Sequence, residues 1–261
     1  MTCRPTVVVV PCYNEERRLE IDRFVAYGRA NEGIGFLCVD DGSKDGTGRI
    51  LAAAAEENPD LIRFKACPVN RGKAEAVRAG LRDAIGCGAR TAGYWDADLA
   101  TPLEELSGML RVLEANEHLI GVLGSRVRLL GRTIHRDPLR HYVGRVFATV
   151  ASFRLGVPVY DTQCGAKLFR VQRVLEQALE RPFLTRWIFD VELLARLRDS
   201  CDGEFVRRVE EYPLRTWTDV EGSKLRVRDF LFAALDLARI SRGKAGGPIH
   251  HHSEPASTIR G

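Results

Sequence analysis

The sequence predicts an α/β protein: a mostly parallel central sheet with helices on both faces, followed by basic amphipathic helices toward the carboxyl end. Three observations carry the prediction. Short runs rich in β-branched and apolar residues alternate with stretches of helical periodicity from Thr6 to Leu123. The first run, Thr6 to Val10, is apolar without interruption, as expected of a parallel strand buried on both faces. Polar or acidic turns close the strands, which is where open α/β sheets place their ligands. At 261 residues, 45% hydrophobic and 28% charged, the chain can bury a substantial core, and neither disorder nor a coiled coil describes it as a whole.

Taken in order, the strand at Thr6 to Val10 lies between Pro5 and Pro11 and leads through Pro11-Cys12-Tyr13-Asn14-Glu15-Glu16 into a helix ending near residue 31. A second strand, Gly35 to Val39, ends in Asp40-Asp41-Gly42-Ser43, and a helix runs from about Asp45 to Glu57. Leu61 to Lys65 reads as a strand, Asn70-Arg71-Gly72 as a loop, and Lys73 to Ile85 as a helix with Val77, Leu81 and Ile85 on one stripe. A buried strand then enters Asp96, the proline at 102 opens a further helix, and Leu119 to Leu123 forms the next strand. From Arg126 to Arg154 the composition turns basic, with an amphipathic helix over about 138–154. Its polar face is a solvated surface or a contact for anionic lipid or a phosphate-bearing acceptor. Tyr160 to Phe169 reads as a polar loop entering a short strand, Arg186 to Glu192 opens a helix, Phe205 to Val209 is a strand, and an extended piece runs through Trp217. A second basic amphipathic helix spans Lys224 to Arg242, and residues 243–261, including the solvated His250-His251-His252 run, form a disordered tail.

Asp96-Ala97-Asp98 is the chemical centre of this reading. Two carboxylates at a strand end offer hard oxygen ligands for Mg2+ or Mn2+, which complete their shell with water and substrate phosphate. With Asp40 and Asp41 they make an acidic crevice at the carboxyl edge of the sheet. The usual nucleotide motifs are absent: no Gly-x-Gly-x-x-Gly follows the first strand, and no Gly-x-x-x-x-Gly-Lys-Ser/Thr occurs. A nucleotide would therefore be held by carboxylates, a cation and a few basic side chains. The net charge of +4 is too mild for a general polyanion binder, so nucleic acid is not an expected partner. The seven cysteines form no Cys-x-x-Cys pair and read as mostly buried thiols in a reducing compartment. With no leader-like start and no membrane-length apolar run, the expected location is cytoplasmic, or peripheral on the cytoplasmic membrane face.

The segments Pro11-Cys12-Tyr13-Asn14-Glu15, Val39-Asp40-Asp41-Gly42-Ser43, Asn70-Arg71-Gly72-Lys73, Asp96-Ala97-Asp98, Gly124-Ser125-Arg126 and Asp161-Thr162-Gln163-Cys164-Gly165-Ala166-Lys167, with Arg186 to Glu192 and Glu221 to Lys224, resemble family 2 glycosyltransferases of the GT-A fold. Within that family they are most similar to polyprenyl-phosphate sugar transferases of the dolichyl-phosphate glucosyltransferase-like branch. The resemblance spans roughly residues 5 to 242. It implies one GT-A domain over 1–242, with a nucleotide-sugar half to about 126 and an acceptor half over 127–242.

It further implies that Pro11, Tyr13, Glu15 and Asp41 hold the base and ribose of a nucleotide sugar. Asp96 contacts the nucleotide or the metal shell, Asp98 holds the cation, and Lys73 and Arg126 balance negative charge. Asp161 falls where some relatives carry an acid important for transfer. Ala100 departs from the Gln that many mannosyl-transferring relatives have two residues after the second aspartate, and the membrane-spanning tail of some relatives is absent.

The expected reaction is an inverting, metal-dependent transfer of a hexose, glucose from UDP-glucose being favoured, to a polyprenyl phosphate. Arg136 and Arg140 would position that acceptor, whose anionic oxygen needs no strong base. Alternatives are mannose from GDP-mannose, or a soluble hydroxyl acceptor. The last would require a base, Asp161 first and Asp190 second. Outside enzymes, the alternative is a binding module that keeps the fold without turnover.

Overall fold

The computed structural model describes residues 3–135, 149, 156, 158–185 and 188–219. The basic helices expected over 138–154 and 224–242, the tail, Arg136, Arg140 and the Arg186-Trp187 helix start lie outside the described residues.

A seven-stranded sheet forms the centre. Its strands are β1 (Thr6–Cys12), β2 (Ile34–Asp40), β3 (Ile62–Ala66), β4 (Thr91–Trp95), β5 (Gly121–Ser125), β7 (Ala166–Arg170) and β8 (Val209–Pro213). They lie in the order β3-β2-β1-β4-β7-β5-β8. Every neighbouring pair is parallel except those of β7, which runs antiparallel to both β4 and β5. A second, two-stranded parallel sheet joins β6 (Thr133–His135) to β9 (Thr216–Thr218). The helices are α1 (Ile21–Ala30), α2 (Thr47–Glu57), α3 (Lys73–Gly86), α4 (Glu104–Ala115), α5 (Arg173–Leu179), α6 (Phe189–Asp199) and the single turn α7 (Phe205–Arg208).

The unbroken apolar run of β1 is explained by two cores. Val7 and Val9 face one, formed with α3, α5 and α6, while Val8 and Val10 face the other, formed with α1, α2 and α4. Each buried valine removes from water a side chain worth about 1.5–3 kcal/mol. The strand also continues through Pro11 to Cys12, two residues beyond its expected end. The carbonyl of Cys12 faces β2, where it accepts from the Asp41 amide at 2.9 Å. Pro11 therefore faces β4, whose ladder with β1 stops at Val9–Tyr94, so the missing proline N–H removes no sheet hydrogen bond.

Two expectations about the elements are corrected. The strand expected at Phe205 to Val209 is the helical turn α7 followed by β8, shifted by four residues. Phe205 is buried and Val206 exposed on the helical turn, and the sheet's edge is instead Val209-Glu210-Glu211-Tyr212-Pro213. Pro102 does not open α4: Leu103 is its N-cap and Pro102 precedes it, with the Pro102 carbonyl accepting from the Glu105 amide at 3.1 Å.

The cysteines divide. Cys12, Cys38, Cys164 and Cys201 are buried thiols and Cys67 is half-buried, but Cys3 and Cys87 form a disulfide instead of remaining reduced. The fold sets their Cα atoms 5.7 Å apart, within bridging range, and ties the start of the chain to the end of α3 across 84 positions. Burial pushes the Cys38 thiol up to about 12 and the Cys164 thiol up to about 11, which makes both poor nucleophiles at neutral pH.

Candidate active site

β1, β2, β4 and β5 all run in one direction, so the loops after Cys12, Asp40, Trp95 and Ser125 emerge on one edge of the sheet. The loop after β1 is tied to the start of α2: the Glu15 amide donates to Thr47 Oγ1 at 2.8 Å, and Thr47 in turn donates to Asp45. Glu15 is buried and ion-paired with Arg18. Asp40 ends β2, and its Oδ1 accepts from the Ser43 amide at 2.9 Å. Asp41 is buried, with Oδ1 and Oδ2 accepting from the amides of Arg71 and Gly72 at 2.8 and 2.7 Å. This carboxylate thereby locks the loop after β2 to the loop that starts α3. Of the four aspartates expected to line the crevice, Asp40 and Asp41 thus spend hydrogen-bonding capacity on the scaffold.

Asp96 and Asp98 project from a turn after β4. Both lie beyond the last strand residue, Trp95. The Leu99 amide donates to the Asp96 carbonyl at 3.3 Å, and Leu99 adopts φ 53°, a left-handed conformation unusual for leucine. Such strain persists where surrounding structure enforces it, and here buried Leu99 packs in the core. Asp98 accepts from the Ala100 amide at 3.1 Å, and burial pushes its carboxyl above the usual range, with the charge of Asp96 adding to the effect.

Asp96 forms an ion pair with Lys73 at the first position of α3. Its buried Oδ1 is the oxygen that meets the Lys73 ammonium. Two neighbouring carboxylates, with burial and the charge of Asp96 holding Asp98 back from ionising, fit a hard divalent cation, which would offset both charges. Among the described residues no group of three or more His, Cys, Asp or Glu forms a complete cage, so such a cation would need substrate oxygens or water to fill its shell.

Arg126 follows β5 and meets Asp161 in a two-pronged pair: Nε to Oδ2 at 2.6 Å and Nη2 to Oδ1 at 2.7 Å, with the Arg126 amide also donating to Oδ2 at 3.1 Å. Burial alone would lower the guanidinium pKa, but the charge and hydrogen bonds of Asp161 override it and the net shift is upward. The guanidinium also lies 5.2 Å from the centroid of the Trp217 ring on β9. Glu211 of β8 holds the Asp161 loop by accepting from the amides of Tyr160 and Asp161 at 2.7 and 2.9 Å.

The structure therefore gathers Lys73, Asp96 and Asp98 in one group and Arg126 and Asp161 in another on the same edge, with Pro11 near the end of β1 and Tyr13, Glu15 and Asp41 on the loops after β1 and β2. Asp190, the second base expected, is buried in an ion pair with Lys167, and Glu192 is buried against Arg196 and the amides of Leu184 and Thr185. Sequence reasoning missed Arg18, whose guanidinium feels Asp96 and Asp98 as well as Glu15. It also missed Glu211 and Trp217. Arg18 stands three residues after Glu15, a spacing that pairs side chains across a helical turn; Glu211 and Trp217 carry no local signal at all.

A parallel sheet whose carboxyl edge presents an Asp-x-Asp turn beside paired basic groups is the GT-A architecture of a glycosyltransferase. The model for glycosyl transferase family 2 matches residues 7–175, and the chain belongs to that family. Among relatives, the dolichyl-phosphate beta-glucosyltransferase ALG5C of Trichomonas vaginalis is 34% identical over 249 residues, covering 90% of this chain and 70% of its own length. The Homo sapiens dolichyl-phosphate beta-glucosyltransferase is 32% identical over 236 residues, covering 84% and 68%. Among solved structures, glucosyl-3-phosphoglycerate synthase from Mycobacterium tuberculosis, crystallised with Mn2+, UDP-glucose and phosphoglyceric acid, aligns with a TM-score of 0.65 at 19% identity over 94% of this chain and 81% of that one. At that identity the likeness speaks for the fold.

Proposed function

We propose that this glycosyltransferase moves glucose from UDP-glucose to a polyprenyl phosphate with inversion at the anomeric carbon, using a divalent cation at Asp96 and Asp98. The observation that carries the reading is the grouping of the Asp96–Asp98 turn and Lys73 on the same sheet edge as the Arg126–Asp161 pair. Sustained similarity to two dolichyl-phosphate glucosyltransferases favours the donor and the acceptor class.

Chemically, one bond forms between an acceptor phosphate oxygen and the anomeric carbon while the bond to the UDP oxygen breaks, and the electron pair leaves with UDP. When bound, the cation would offset the diphosphate charge and stabilise the negative charge that grows on it. Pro11 at the end of β1 and Tyr13, Glu15 and Asp41 on the loops after β1 and β2 would hold base and ribose in the half up to residue 126, leaving 127–242 as the acceptor half. Lys73 is placed to move from Asp96 to a phosphate oxygen.

Asp161 is held at both oxygens by Arg126 and so anchors the guanidinium. A phosphate acceptor suits this arrangement, because it needs a positive charge more than it needs a base. The acceptor's membrane origin is supported by the turn after Arg126. Leu129 and Leu130 are exposed there, flanked in sequence by Arg128 and Arg132, a basic and apolar pairing suited to an anionic lipid surface.

The test is UDP release from UDP-glucose with a short polyprenyl phosphate, before and after chelation and on return of Mn2+ or Mg2+. Release only with both lipid phosphate and cation is expected. Undiminished release under chelation would reject the metal, and release that requires a soluble hydroxyl acceptor would reject the lipid.

A further inference from the structure

Behind the carboxylate turn lies a buried ion pair that the proposed reaction does not use. Lys167 on β7 is fully buried, and its Nζ donates to Asp190 Oδ1 and to the Cys164 carbonyl, both at 2.6 Å. The hydroxyl of Tyr94 on β4 donates to the same Asp190 oxygen, and Nζ sits 5.3 Å from the Tyr94 ring centroid. Replacing a buried ion pair by apolar residues of similar shape is often neutral or stabilising, so stability alone does not account for its presence.

What the ammonium holds is a peptide. Cys164 precedes Gly165, whose carbonyl accepts from the Asp96 amide at 3.0 Å. Gly165 also lies bare against the Asp96 side chain: a Cβ there would stand 2.0 Å from Oδ2 and 2.1 Å from Cγ. The Asp96 carboxylate thus rests on the peptide that Lys167 pins, two residues after the Tyr94 that pins Asp190.

We propose that Lys167, Asp190 and Tyr94 are positioning residues for Asp96, fixing the 164–165 peptide so that the carboxylate is presented to the cation without reorganisation. Hydrogen bonds behind a metal ligand characteristically set its orientation, and their loss costs about 10–100-fold in affinity. The inference rests on the reading of Asp96 and Asp98 as metal carboxylates.

The experiment compares Mn2+ affinity in the presence of UDP, by calorimetry, with fold stability by denaturation. Lys167→Met with Asp190→Leu replaces the pair by apolar groups and frees the Cys164 carbonyl. It is expected to fold with stability near the parent and to bind Mn2+ at least about tenfold more weakly. Lys167→Gln with Asp190→Asn, which keeps hydrogen-bonding groups at both positions, is expected to stay within about threefold of the parent.

Parent-like affinity in the apolar double variant overturns the proposal, because a merely structural pair predicts that result. If that variant does not fold, Tyr94→Phe serves: it removes only the hydroxyl donated to Asp190, and an unchanged Mn2+ affinity would equally overturn the proposal. Asp98→Asn separates the two levels. If it binds Mn2+ and UDP like the parent, the metal reading itself fails; if it loses binding while the apolar double variant keeps it, only the positioning role fails.

Discussion

A divalent cation at Asp96, as proposed, would compete with Lys73 for the same carboxylate. The ammonium pairs with Asp96 while roughly a third of each side chain remains solvent-accessible, at 39% and 32%. Exposed pairs of this kind contribute up to about 1 kcal/mol, which bounds the competition at roughly fivefold. Lys73→Met should therefore raise the affinity for bare Mn2+ by up to about fivefold while weakening UDP-glucose, opposite signs that calorimetry with each ligand separately will resolve.

Arg126 and Asp161 present a different case, since both side chains are nearly buried, at 13% and 8% exposure. Asp161→Asn leaves a buried guanidinium without its counter-charge. A loss of about 3 kcal/mol in stability is expected, read from the urea midpoint, together with a fall in transfer rate. Asp40 and Asp96 could be picked out from the sequence because each sits at the end of a strand, whereas Lys73, Arg126 and Asp161 were named by the family resemblance. Asp41 shows where such reading runs out: its position was legible, but not that its oxygens are taken by the amides of Arg71 and Gly72, partners 30 and 31 residues away.

At the scale of elements, the alternating strands and helices up to β5 were legible because hydrophobic period and turn chemistry agree there. The antiparallel insertion of β7 between β4 and β5 was not. Its Ala166-Lys167-Leu168-Phe169 core is compatible with either direction, and pairing partners far apart in sequence leave no local trace. β8 was hidden for another reason: as an edge strand it carries Glu210 and Glu211, the second of which serves the Asp161 loop.

The packing of α3 on the sheet leads to a prediction at this scale. Gly80 lets the helix lie directly on β1 and β2; a Cβ there would stand 2.4 Å from Val9 Cγ1 and 3.1 Å from Val39 Cγ2. Gly80→Ala gains helix propensity of about 1 kcal/mol but over-packs the core, at a cost of about 1–3 kcal/mol. Both valines are stiff at χ1, so packing should win, and a lower urea midpoint with an unchanged slope is expected. Because Lys73 begins the same helix, a shift of α3 should also weaken UDP-glucose binding.

For the molecule as a whole, the acidic edge makes the folded state and the ligand answer to the same proton. Burial, reinforced by Asp96, raises the folded-state pKa of Asp98 above its unfolded value. The native state then holds that proton more tightly than the unfolded chain. In the absence of ligand, the contribution to stability is fully present below the unfolded pKa and is lost as pH rises through the folded one. Asp98→Asn mimics the protonated form and should be more stable than the parent at pH 7 without ligand, with the difference vanishing on acidification.

With ligand the order reverses. A cation and UDP at one hundred times their dissociation constant stabilise the parent by about 2.7 kcal/mol, or roughly 5–10 °C in melting temperature for a domain of this size, and should leave Asp98→Asn unmoved. Melting curves of both proteins across pH, with and without Mn2+ and UDP, test the scheme. A variant that is less stable than the parent without ligand, or that gains the full shift with it, would show that Asp98 neither resists ionisation nor meets the cation.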